Sequence, residues 1–331
     1  MSLSVKYSVL LILIFFIVLV VSSLMVGRYS VSLADLLNGL QSENIQNNQG
    51  WRVILDIRLP RILAAILVGA ALSVAGAVYQ IMFRNPLVSP DILGVSAGAG
   101  LGATLAIFMD ADIWLIELSA FSFGLLAVLL VYLLSMRLQR LDNTLVLILT
   151  GVVISALFSA IISLLKIMAD PYTQLSSMTF WLMGGLNTVQ YTELFYTLPC
   201  VLLAFIPIIL LRWRINLLNL TDDESRTLGI SPHRIRFILI LAATLMTSSV
   251  VAITGLIGWV GLIIPHIARM LVGARFSYIL FLSVILGPMF LLIADTAARV
   301  VAPIDLPLSI LTSFIGAPFF IFLLINKNRK T

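Results

Sequence analysis

The chain has 331 residues, 61% of them hydrophobic and 11% charged, with a formal net charge of +5 and a mean hydropathy of +1.12. A soluble fold of that size cannot enclose so much apolar surface, so the solvent of this chain is lipid. One cysteine, Cys200, and two histidines, His233 and His266, exclude internal disulfides and a self-made zinc cage, and no Gly-rich phosphate loop or G-x-S-x-G elbow is present, so any nucleotide is hydrolysed by another chain.

Apolar runs such as Leu10 to Val21 lack the alternation of a barrel strand, which leaves an all-α polytopic membrane protein. Ten helical spans are predicted, near residues 7–27, 60–82, 92–109, 114–136, 144–166, 192–211, 235–253, 257–272, 279–298 and 307–325. They form one transmembrane domain over 1–331, with a hydrophilic loop at about 213–234. The first stretch is read as a span, because no small-residue cleavage pattern follows it at Gly27-Arg28-Tyr29.

Motifs follow in chain order. Arg58-Leu59-Pro60-Arg61 places proline where a helix begins, with two guanidinium groups at the membrane edge. Arg84-Asn85-Pro86-Leu87-Val88-Ser89-Pro90 forces a rigid turn, read either as a tight hairpin or as a constriction built from Asn85 and Leu87. Gly94, Gly98 and Gly102 recur every fourth residue and predict close helix packing. Ser155, Ser159 and Ser163 share one helical face and either bond across helices or line a wet path.

Residues 219–232 are the most polar stretch on the side where basic residues collect. Thr221 with Glu224 fits a capping box, Asp222, Asp223 and Glu224 suit the positive end of a helix dipole, and Gly229 and Pro232 supply the stop. A cytoplasmic N-terminus puts this helix inside with Lys6, Arg84, Arg137, Arg140, Arg212, Arg214, Arg226, Arg234, Arg236, Arg269, Arg275, Lys327, Arg329 and Lys330. Arg28, Arg52, Arg58, Arg61, Lys166 and Arg299 are then outside. A capped helix on the inner surface implies a soluble partner. Farther on, Asp295 and Arg299 predict an i,i+4 ion pair, and Arg58, Arg61 and Arg299 together predict a cationic rim for an acidic partner.

These blocks resemble the FecCD or BtuC-type permeases of ATP-binding-cassette importers for iron-siderophores, haem and vitamin B12. The resemblance rests on Arg58-Leu59-Pro60-Arg61, Gly69 to Gly76 with Gln80, Arg84-Asn85-Pro86-Leu87 through Gly94, Trp181 to Gly185 and Leu228-Gly229-Ile230. It continues through Gly258 to Leu262 with Pro265-His266 and Arg269, Ala294-Asp295 with Ala298-Arg299, Leu306-Pro307 and Gly316 to Phe319. Trp259, Pro288 and Ser309 depart from the family's usual Phe, Ala and Gly.

The resemblance implies ten helices with both termini cytoplasmic, a second copy of the chain, two cytoplasmic ATPase subunits that bind ATP and Mg, and an extracytoplasmic substrate-binding protein. The chain itself would carry no cofactor and no metal, would bind no nucleic acid, and would sit in a bacterial or archaeal plasma (inner) membrane. Leu220, Thr221, Asp222, Asp223, Glu224, Arg226, Leu228 and Gly229 then belong to the ATPase-coupling helix. Arg58, Arg61 and Arg299 face the binding protein, and Asn85, Leu87, Thr144 and Leu145 match the cytoplasmic gate. The cargo implied is a metal chelate, an iron-siderophore or haem, with cobalamin or a molybdate-type oxyanion as the alternative within the family. An ion-coupled secondary transporter, which wants paired acids or broken helices at mid-membrane, is the rival class.

Overall fold

A computed structural model describes the backbone of residues 3–29, 49–137 and 143–328. The predicted inner residues Arg140, Arg329 and Lys330 lie outside this set, as do the side chains of Lys6 and Lys327. Its helices are α1 (Leu3–Met25), α2 (Gln49–Met82), α3 (Val95–Phe108), α4 (Ile113–Arg137), α5 (Asn143–Met168), α6 (Gln174–Met183), α7 (Tyr191–Ile215), α8 (Asp222–Thr227), α9 (Pro232–Thr254), α10 (Val260–Val272), α11 (Phe276–Val300) and α12 (Leu308–Asn328). Among the described residues six helices, α2, α4, α5, α7, α9 and α11, are long and apolar enough to cross a membrane, and α1, α3, α10 and α12 supply four shorter apolar segments.

Helices α2 and α9 are largely enclosed, whereas α4, α5 and α7 turn much of their apolar surface outward. The enclosed pair form the centre because their small residues allow backbone contact. A Cβ at Gly76 of α2 would stand 1.8 Å from Gly261 O of α10, and one at Gly69 would stand 2.5 Å from Gly287 O of α11. The predicted glycine face of α3 divides in two. Gly98 and Gly102 bring α3 against α4, since a Cβ there would meet Phe123 O at 2.4 Å and Ser119 O at 2.3 Å. Gly94 instead takes a left-handed φ of 80° between the 3-10 turn Pro90–Leu93 and α3.

Two features lie beyond the predicted spans. Helix α6 has 10 residues, and its Gln174, Ser176, Ser177 and Thr179 break the apolar run that marks a span. The first turns of α2 extend the predicted span backward to Gln49 through a π-helical stretch, Val53–Arg58. Pro60 sits in the first turn of the following α-helical stretch and has no N–H to donate back to Asp56, so the wider π register absorbs the mismatch.

Candidate functional site

The 219–232 segment folds as the short helix its sequence predicts. Thr221 caps it: Glu224 N donates to Thr221 Oγ1 at 3.3 Å, and Thr221 N donates to Glu224 Oε2 at 2.8 Å. At the other end Gly229 N donates to Arg226 O and Ile230 N to Ser225 O, the two bonds of a Schellman turn, with Gly229 left-handed at φ 78°.

The acids divide by role. Asp222 accepts two hydrogen bonds from Arg236 of α9, at 2.7 and 2.6 Å, and a third from Arg84 at 3.1 Å. Glu224 closes the cap, and the Asp223 side chain is 93% exposed. Ser225 is buried and donates to Leu217 O at 2.9 Å, so it pins the helix from beneath. Leu220 and Leu228 point outward, at 37% and 57% exposure, with Arg226 and Asp223 between them. The outer face therefore presents apolar ends around a charged middle, on a helix anchored from below.

Hydrogen bonds from Arg236, then its charge and that of Arg84, hold the Asp222 carboxyl below the ordinary carboxylate range. A depressed folded pKa means that the stabilisation is complete above the unfolded value of about 3.9 and is lost as pH falls through the lower folded value. The motion of a fluorophore on Asp223→Cys, in a Cys200→Ser background, is therefore expected to stay constant from pH 7 to about 4 and to increase only below that. Loosening between pH 7 and 5 would contradict the Asp222 anchor.

Arg84 joins this helix to the turn that follows α2. Its Nε donates to Leu218 O at 2.7 Å and its Nη2 to Leu220 O. One residue on, Asn85 Oδ1 accepts from Leu87 N at 2.9 Å, and both Asn85 and Leu87 are exposed. Thr144 and Leu145 open α5 at the same end of the bundle, and Leu145 is 52% exposed. A cavity of about 310 Å3 is walled by Asp222 and Arg226, by Thr144 and Leu147, and by Tyr132, His233 and Arg236.

The predicted cationic rim needs correction. Arg58, Arg61 and Arg299 are buried, at 3%, 6% and 6% exposure, because the chain supplies each with acceptors. Arg61 donates to Asp295 Oδ1 at 2.6 Å and to Asp305 Oδ2 at 2.8 Å. Arg299 donates to Ser23 Oγ at 2.6 Å, and its Nε stands 3.2 Å from Asp295 Oδ2, paired in charge but not aligned as a hydrogen bond. Arg58 donates to the carbonyls of Leu24 and Tyr29. Arg28 is exposed and stands 3.2 Å from Asp305. This cluster lies at the end of the bundle opposite α8: α11 starts beside Asn216, which accepts from Phe276 N at 2.8 Å, and reaches Asp295 and Arg299 in its last turns.

Ser159 and Ser163 are exposed on the outward face of α5, where Ser163 Oγ donates to Ser159 O at 2.9 Å, a bond within the helix. Ser155 is half-buried against the Gly94 turn. A second cavity, about 450 Å3, opens at the arginine end between α4, α6 and α9. No group of three or more His, Cys, Asp or Glu suited to a metal ion occurs among the described residues. Sequence reasoning gave Asp305 no part in the site, and placed Arg84 and Arg236 on the inner side without a role. Only Arg84 had a local signal, its place at the head of a turn that carries Pro86 and Pro90.

The FecCD transport family model matches residues 13–326. The Molybdate import system permease protein MolB of Haemophilus influenzae is 40% identical over 93% of this chain and 92% of its own length. A probable iron chelatin transport system permease protein of Helicobacter pylori is 43% identical over 82% of each chain. A solved structure described as an inward-facing conformation of a metal-chelate type ABC transporter superposes with a TM-score of 0.88 at 38% identity, covering 97% of this chain and 99% of that one. With the capped surface helix, the apolar bundle and these similarities in agreement, the chain belongs to the FecCD transport family and is a polytopic membrane permease of the ABC importer type.

Proposed function

We propose that the chain is the permease subunit of an importer that moves a ferric chelate, a siderophore complex or haem, into the cytoplasm on ATP hydrolysed by a partner. The observation that carries this reading is α8, a six-residue helix closed at both ends, tied to the bundle through Asp222 and Ser225, and presenting Leu220, Asp223 and Leu228 outward. Such a helix suits the groove of a soluble ATPase. In this reading the chain crosses the inner membrane ten times with both termini cytoplasmic, and it pairs with a second copy.

The turn at Asn85 and Leu87 and the start of α5 at Thr144 and Leu145 form the inner constriction. Ser155, Ser159 and Ser163 line the path between the copies. At the opposite end the binding protein docks over Arg28, with the buried Arg58, Arg61 and Arg299 supplying positive potential from beneath. A molybdate-type oxyanion is the second reading of the cargo, favoured by the similarity to the Haemophilus permease over nearly the whole chain.

Leu228→Asp places a charge on the outward apolar edge of α8 and is expected to weaken co-purification with the ATPase by about 10-fold or more, as loss of a buried anchor does. The same change should leave the melting temperature of the isolated permease unmoved, because Leu228 is exposed. Undiminished co-purification would contradict the docking assignment. Uptake of radiolabelled ferric siderophore, haem and molybdate into vesicles holding the whole complex then separates the cargo readings.

A further inference from the structure

The turn after α2 holds an anomaly. Phe83 ends the helix, and Arg84 occupies the left-handed position that follows, with φ 51°. Arg84 N donates to Ile81 O and Asn85 N to Gln80 O, which is a Schellman turn with arginine where glycine is preferred. A side chain kept in a disfavoured backbone position points to a task for that side chain. Its reach answers what the task is. Arg84 donates to Leu218 O and Leu220 O, which lead into α8, and shares Asp222 with Arg236. The side-chain hydrogen bonds from this turn to the segment of α8 come from Arg84, whereas Asn85 Oδ1 accepts from Leu87 N and Leu87 points outward.

Two routes run from α8 toward the proposed inner constriction. The route to Thr144 and Leu147 runs along the wall of the cavity of about 310 Å3 that Asp222, Arg226, His233 and Arg236 also line. The route to Asn85 and Leu87 runs through the hydrogen bonds of the Arg84 side chain, the peptide bond to Asn85 and the bond from Leu87 N to Asn85 Oδ1.

We infer that Arg84 is a positioning residue that couples α8 to the 85–87 turn, so that displacement of the docking helix moves Leu87. Asp222 keeps Arg84 aligned while Arg236 references both to α9. The inference rests on α8 being the ATPase-docking helix.

The test uses the complete permease–ATPase complex in nanodiscs, with Leu87→Cys in a Cys200→Ser background, labelled by a water-soluble maleimide with and without ATP and vanadate. With Arg84 present the labelling rates of the two states are expected to differ by about 5-fold or more, the scale of ordinary coupling between sites. Arg84→Gly suits the left-handed backbone and so keeps the turn while removing the reach. Its rate ratio is expected to collapse to about 1 in complexes that still co-purify, with Arg84→Lys restoring part of the contrast. A full contrast in Arg84→Gly overturns the inference. Should Arg84→Gly fail to assemble, Arg84→Lys decides: a contrast reduced by half or more supports the coupling, and an intact one overturns it. Absence of any contrast with Arg84 in place overturns instead the reading of α8 and the turn on which the inference rests.

Discussion

Asp295→Ala is expected to be the most damaging single side-chain truncation at the arginine end. The Asp295 side chain is fully buried, and it stands between Arg61 and Arg299, which are 7% and 8% exposed. Removing it leaves two enclosed guanidinium groups facing each other, which costs about 3–5 kcal/mol for a broken buried pair. For a chain of this length that is a fall of roughly 4–7 °C in melting temperature of the detergent-purified protein. Asp305→Ala is the matched control. Its side chain is 32% exposed, Arg28 across from it is 50% exposed, and Arg61 retains Asp295, so screening limits the loss to about 1 kcal/mol. Equal melting temperatures for the two variants would mean that the cluster is not the enclosed network described above.

The second large effect concerns backbone contact. Gly76→Val must place its Cβ where Gly261 O lies 1.8 Å away, and neither α2 nor α10 can yield without opening the centre of the bundle. A penalty at or beyond the upper end of overpacking, about 3 kcal/mol, is expected, with poor membrane yield as its first sign. Gly258→Ala has no atom within 4 Å of its new Cβ and is expected to express and melt as the parent does. Comparable yields of folded protein from both would show that α2 and α10 do not touch through Gly76.

Particular residues show how far the chain could be read before folding. Thr221 and Glu224 were legible because a capping box is an i,i+3 device whose geometry any helix supplies. The Asp295–Arg299 pair was legible for the same reason. Asp222 was recognised only as one of three acids at a helix N-terminus. Its partner Arg84 is 138 residues away, and no local pattern announces such a meeting. Trp259 shows the same limit. It departs from the family's usual residue, yet its left-handed φ of 72° and the bond from its indole to Ser313 Oγ at 3.0 Å belong to a fitted site, with Gly316 leaving room for the ring.

The arginines Arg58, Arg61 and Arg299, read as exposed and found buried, show the converse limit. Charged residues at a membrane edge read as a surface feature, because composition is silent about acceptors supplied by distant segments. The acceptors come from Ser23 and Leu24 in the last turn of α1, from Tyr29 just beyond it, and from Asp295 and Asp305, the last two 234 and 244 residues from Arg61.

By itself the sequence determined the lipid environment, the positions of the apolar helices and the capped polar helix between α7 and α9. Those follow from hydropathy and from hydrogen bonds made within three or four residues. Only the tertiary structure decided which acid of that helix anchors it and which faces out, that Arg84 reaches it, and that the outer arginines are enclosed. Burial and ion pairing are properties of segments brought together from opposite ends of the chain, so they exist only once the bundle has closed.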